Sequence, residues 1–483
     1  MAAAAAAALC AGLLAGQDAA GAAPTAITAG SGGWHPAVQV PGTAALNIGG
    51  NATVFAVSCT APGTCAAGGS YGSDSTDQNA TQAFLVSQRA GRWGTASKPR
   101  GLRALGVLSS EIRTVSCASA GNCAAGGDYT DFSGSDQAMI VTERAGRWGK
   151  AVEVPGTATL NADDAEVTSV SCAAAGDCLA GGFYDYGAGN FGAFLASQHG
   201  GRWARATRVP GLAPLDTGKD SRLSSVSCPS PGNCAAGGFY LDSRDRWQAF
   251  VATERSGQWS PAIEVPGTPA LNIGGDASVD SVSCASAGNC AASGYYEASK
   301  YNGSTATWQA FAVSEQGGRW RRAVPLLGRA SVNDNTVGAA AESVSCASAG
   351  NCAAGGAYLD RSGHLQAFVA SERAGLWGTA TEVPGTAALN TGGAAEVFSV
   401  FCPAAGDCTA GGYYTHHGSQ AFVVSERGGA WRGAIEVPGT ASLNAGRNAA
   451  VNAVSCPGPS ACTAGGYYTD GSHRGQAFVV SRT

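Results

Sequence analysis

Short runs in which apolar residues alternate with small or polar ones recur along the chain, each cut after a few residues by Gly, Pro or Asn, and this pattern predicts strands. Between Val397 and Asn444 the pattern can be read element by element. Val397 to Cys402 is a first strand, Ala404 to Asp407 a turn, Cys408 to Tyr414 a second strand and Gln420 to Glu426 a third. Gly428-Gly429 turns the chain into a fourth strand, Trp431 to Val437, and Pro438-Gly439 ends it before a loop at Leu443-Asn444. No stretch keeps a helical period over a useful length.

This block returns eight times, at a spacing of roughly 56 residues, so the chain is an array. Every block carries two cysteines separated by five residues: Cys59-Cys65, Cys117-Cys123, Cys172-Cys178, Cys228-Cys234, Cys284-Cys290, Cys346-Cys352, Cys402-Cys408 and Cys456-Cys462. Cysteines facing each other across a hairpin sit within disulfide range, about 4.5–5.5 Å at Cα. The competing reading, zinc, is weak because two thiolates are half a site. The eighth block stops after its third strand, Gln476 to Ser481, and its missing fourth strand stands at the other end, where Trp34 to Asn47 matches Trp431 to Asn444. An N-terminal strand that completes the last unit closes a ring and removes exposed edges. The expectation is therefore all-β: an eight-bladed β-propeller of four-stranded blades, with one hairpin disulfide per blade.

Residues 1–28 read as a signal peptide and short linker, and 29–483 as the propeller. The Ala/Leu run from Met1 to about Ala23 ends in small residues, as at a secretory cleavage site, although a positively charged start is missing. Removing it takes away Cys10 and leaves sixteen cysteines, all paired. That parity predicts a secreted or cell-envelope, extracytoplasmic home. No later stretch reads as a membrane span. With 13% charged residues and a net charge of −5, nucleic-acid binding and a polybasic membrane patch are excluded.

The double glycine followed by a tryptophan opening strand four (Gly411, Gly412 and Trp431; Gly355, Gly356 and Trp377) resembles the kelch repeat of kelch and galactose-oxidase propellers. The turn from Ser371 to Trp377 looks like a sialidase Asp-box, with Arg373 in place of its Asp. The whole pattern is also similar to secreted Cys-paired repeat proteins of actinobacteria. These resemblances imply architecture. Sialidase chemistry would require an arginine cluster, and galactose-oxidase chemistry two His and two Tyr on copper. The only histidine cluster, His416-His417, is a poor ligand pair, so no metal and no cofactor is expected.

Residues shared by all blades are read as packing, including the tyrosines Tyr71, Tyr129, Tyr184, Tyr240, Tyr296, Tyr358, Tyr414 and Tyr468. Asp131, Asp242, Asp360 and Asp470, two residues beyond alternate tyrosines, are either loop caps or a ring of carboxylates. Departures from the repeat are better clues to function. Trp247 and Trp308 stand before the third strand of blades 4 and 5, where other blades carry smaller side chains. Beside them lie Asp242, Glu297, Tyr301, Asn302 and, in the altered linker after blade 5, Asp334. Aromatic faces among amides and carboxylates suit sugars. The expected function is a non-catalytic recognition propeller for a glycan or cell-wall polymer. The alternatives are a secreted glycosidase or polysaccharide lyase using Asp242, Glu297 or Asp334 as acid and base, and a structural or protein-interaction ring with a protein partner.

Overall fold

The computed structural model describes residues 33–74, 80–299, 307–327 and 338–482. Its strands form eight antiparallel sheets, one per repeat, in the order expected of propeller blades. In blade 7 these are Ala395–Ala404, Asp407–Thr415 and Ser419–Arg427, followed by two short outer pieces, Ala430–Trp431 and Ile435–Glu436. Val38–Gln39 pairs with Phe478 and Val479, so an N-terminal strand completes blade 8. Among the described residues, no helix is long and apolar enough to cross a membrane.

Two features differ from the sequence reading. The fourth strand is interrupted, because one extra residue turns an alanine N–H out of the ladder toward the preceding blade. Ala434 N donates to Pro384 O at 2.7 Å, and Ala37, Ala96, Ala206 and Ala262 bond prolines in the same way. The Leu-Asn loop is a helical turn in four linkers, Thr43–Leu46, Thr268–Leu271, Thr386–Leu389 and Thr440–Leu443. Each turn is held by its buried threonine, whose Oγ1 donates three residues back, Thr440 to Val437 O at 2.6 Å for example.

The inner strands ring the axis, and hydroxyls stitch them together. In seven blades a serine precedes the first cysteine and accepts the next blade's cysteine N–H, Ser58 from Cys117 at 3.0 Å, Ser116 from Cys172 at 2.9 Å and Ser345 from Cys402 at 2.9 Å among them; in blade 7 Phe401 stands there instead. A second row lies two residues earlier, with Ser399 Oγ accepting Val454 N at 3.0 Å. All eight disulfides form, with Cα separations of 3.9 to 4.1 Å, shorter than the range expected for the pair.

The double glycine lies within the second strand and is a close-packing device. A Cβ on Gly411 would lie 2.5 Å from Val451 Cγ1 of the next blade, and one on Gly412 would lie 1.8 Å from Glu396 O of its own. The repeated tyrosines are buried between blades, as are Phe84, Phe194, Phe250, Phe311, Phe368, Phe422 and Phe478 of the third strands.

Candidate functional site

Each inner strand breaks register four residues before its first cysteine, leaving that residue out of the ladder, and in blade 6 Ala341 with it. A bulge of this kind re-aims a side chain. Around the ring the bulged position holds Phe55, Arg113, Thr168, Ser224, Asp280, Glu342, Phe398 and Asn452. Its neighbours on either side in sequence pack between blades, so this column lines the channel.

In blades 5 to 7 the channel is acidic. Asp280, Glu342 and Glu396 come from three successive inner strands, and Asp276 stands at the head of the first. All four are half-buried with protein close around them, and each is pushed above the ordinary carboxylate range. Burial is the main cause throughout. The Glu342 charge adds to it for Asp280 and Glu396, and Glu396 reaches about 8. Tyr295 Oη donates to Asp276 Oδ1 at 3.3 Å, and burial with this carboxylate drives the phenol pKa well up.

Both cations at this level are already engaged. Arg113 contacts Glu111, Asp128 and Glu166 at 3.2, 3.1 and 3.0 Å. The Arg222 guanidinium lies 3.9 Å from the Phe191 ring centroid and 4.7 Å from that of Phe183. Neither presents a free arginine cluster to an anionic sugar.

Of the sequence-predicted residues, Trp308 and Glu297 lie beside Asp276 in this sector, and Trp247 is linked to them through Asn272. Trp247 is half-buried, its ring edge-on to Phe239 at 5.1 Å. Trp308 is half-buried against Tyr295 at 6.1 Å. Its indole nitrogen makes no well-formed hydrogen bond, though its N–H helps hold down the Asp276 pKa. Glu297 lies directly opposite Trp308 in the ladder, 6% exposed, with its carboxyl group over Gly274. Burial and the Asp276 charge raise its pKa, and Arg246 opposes them. Asn272 joins the two blades: Nδ2 donates to Trp247 O at 2.9 Å and Oδ1 accepts Glu297 N at 3.4 Å.

Asp242 has a different task. Its Oδ1 accepts the Arg244 and Arg246 N–H groups at 2.8 and 3.1 Å, and its Oδ2 accepts Gln248 Nε2 at 3.0 Å. Burial raises its pKa, but these donors outweigh it and the net shift is downward. Asp131, Asp360 and Asp470 accept the same set of bonds, so this column caps loops. Tyr301, Asn302 and Asp334 lie outside the described residues. His416 Nδ1 is 2.7 Å from Thr391 Oγ1, and no group of three described residues is placed to hold a metal.

No known family and no curated protein matches the chain. Among solved structures it is similar to an ulvan lyase of polysaccharide lyase family PL25, at 10% identity over 93% of this chain and 97% of that one, TM-score 0.43. A Penicillium chrysogenum α-L-arabinanase complexed with arabinobiose matches at 10% identity over 93% and 98%, TM-score 0.38. The Trypanosoma rangeli sialidase in complex with the inhibitor DANA matches at 10% identity over 80% of this chain and 56% of that one, TM-score 0.39. None of the three is a kelch protein, and likeness at this level assigns no activity.

Proposed function

We propose that this protein is a secreted, non-catalytic recognition propeller that binds a neutral or cationic glycan or cell-wall polymer at the channel mouth of blades 4 and 5. The observation that carries the reading is the pair of half-buried tryptophans, Trp247 and Trp308, joined through Asn272 and flanked by Glu297 and Asp276. Indole faces accept the C–H faces of a sugar while carboxylates and amides take its hydroxyls. The acidic channel and its engaged arginines disfavour anionic sugars. The kelch-like and Asp-box-like patterns, which serve packing, bring no chemistry to the site.

The test is a glycan and cell-wall polymer array, with the oxidised protein beside the Trp247→Ala/Trp308→Ala variant. Binding lost in a folded variant supports the site, whereas no binding by either protein removes the glycan reading. Glu297 favours a second reading, cleavage of a polysaccharide. A buried carboxyl with a raised pKa beside a second acid suits general acid catalysis. New reducing or unsaturated ends on array ligands after incubation would establish it.

A further inference from the structure

At the channel mouth a guanidinium covers one aromatic pair, while an equivalent pair two blades on has none. Arg222 of blade 4 reaches back over blade 3, with its guanidinium carbon 3.9 Å from the Phe191 ring centroid and 4.7 Å from that of Phe183. Its Nε lies 3.6 Å from Asp220 Oδ1. Burial raises the Asp164 pKa and the Arg222 charge opposes the rise, so an acid from each blade attends this cation. Phe183 beneath it is 7% exposed.

The ladders fix which residues correspond. Phe183, Phe239 and Tyr295 hold one position of the second strand, and Phe191, Trp247 and Trp308 hold one position of the third. All three pairs are in contact, with ring centroids 5.6, 5.1 and 6.1 Å apart. The position of Arg222 is taken by Ser278 in blade 5 and by Ala340 in blade 6. Ser278 is buried and its Oγ donates to Asp280 Oδ1 at 2.7 Å, whereas Ala340 is partly exposed and ends at Cβ. Tyr295 and Trp308 therefore lack the cation that covers Phe183 and Phe191, and both rings stay partly exposed. The acids are still there. Asp276, the counterpart of Asp164, accepts the Tyr295 hydroxyl at 3.3 Å. Burial raises the Tyr295 pKa and the charges of Asp276, Asp280 and Glu342 add to it, which places all three around this ring. No described cation acts on any of the three.

Resting on the glycan reading given above, we propose that the Tyr295–Trp308 pair takes the ammonium group of a protonated amino sugar. The ammonium fills the place that the Arg222 guanidinium holds one repeat pair earlier, against the aromatic rings and beside Asp276. A cation over such rings is attracted by their negative faces, and most strongly where water is partly excluded. Set among Asp276, Asp280 and Glu342, it replaces their mutual repulsion with attraction. An N-acetylated unit carries no charge and gains neither contact.

Calorimetry on the oxidised full chain tests the subsite with a glucosamine tetramer, at mildly acidic pH where its amines are charged, beside the fully N-acetylated tetramer. The glucosamine tetramer is expected to bind about tenfold more tightly, the scale of one partly desolvated cation–π contact. Asp276→Asn, which keeps the shape and removes the charge, should erase most of that preference. Ala340→Arg should abolish it, because its guanidinium covers the rings from within as Arg222 does, and it serves if Asp276→Asn misfolds. Equal affinity for the two tetramers, binding of neither, or an unchanged preference in the folded Asp276→Asn and Ala340→Arg variants would overturn the ammonium subsite. If the array still yields a ligand lost in the Trp247→Ala/Trp308→Ala variant, the glycan reading survives that failure; an array without any ligand ends both.

Discussion

Ser293 Oγ of blade 5 donates to Ala341 O of blade 6 at 3.0 Å. This pair reverses the sizes found around the rest of the ring, where a glycine such as Gly411 faces a branched side chain such as Val451. The added hydroxymethyl of Ser293 occupies the space that Ala341 vacates.

Ala341→Val should therefore destabilise the protein by about 1–3 kcal/mol, the usual cost of overpacking a filled core. Ser293→Gly/Ala341→Val should recover most of that loss. Urea midpoints of the two single variants and the double variant check the coupling; additive losses would mean that the two positions do not compensate.

Asp360 accepts Ser362 N at 2.8 Å and His364 N at 3.0 Å, and Gln366 Nε2 at 2.9 Å, while Gln366 Oε1 accepts Asn390 Nδ2 at 3.0 Å. Asp360→Ala should lower stability by about 1–2 kcal/mol, with Asp360→Asn intermediate. Glycan binding should be untouched. Array profiles and thermal melts of the same samples separate a cap from a ligand.

The channel carboxylates give stability a pH dependence of known sign. The folded-state pKa of Glu396 is about 8, against an ordinary 4.5, so the folded protein holds a proton that the unfolded chain releases. Its contribution is complete below about 4.5 and is lost as pH rises through about 8. Asp280 and Glu342 act in the same direction, and Asp276 and Tyr295, which face them, offer no positive charge. The melting temperature should fall across this window, and Glu342→Gln should flatten the fall. A melting temperature that rises with pH there would contradict the assignment.

Each disulfide closes a loop with a sequence separation of 6. Replacing one pair, Cys402→Ser with Cys408→Ser, should cost about 2 kcal/mol by the chain-entropy estimate. Full reduction should be cumulative across blades. Denaturation with and without reductant checks both.

The architecture was legible because the repeat fixes strand order and because Trp34 to Asn47 restates Trp431 to Asn444. The reason for the Ser-Cys pairing was not, since Ser58 bonds Cys117, one whole blade away. Trp247, Trp308 and Glu297 stand out in the sequence as departures from the repeat, and their role as a binding sector is the proposal made above. Asp276, Asp280, Glu342 and Glu396 were missed, although the bulged column is highly variable among uniform neighbours and carried the same kind of signal. Their grouping needs three strands brought side by side, which no single repeat displays.

Gln39 Nε2 donates to Gln476 Oε1 at 2.8 Å, across a sequence separation of 437. Val38–Gln39 is thus synthesised ahead of every blade and pairs only when the last third strand is made. Until the final blade arrives, blade 1 and the tail both carry open edges. A product truncated anywhere before blade 8 leaves Val38–Gln39 without its partner strand, an open edge of the kind that invites aggregation.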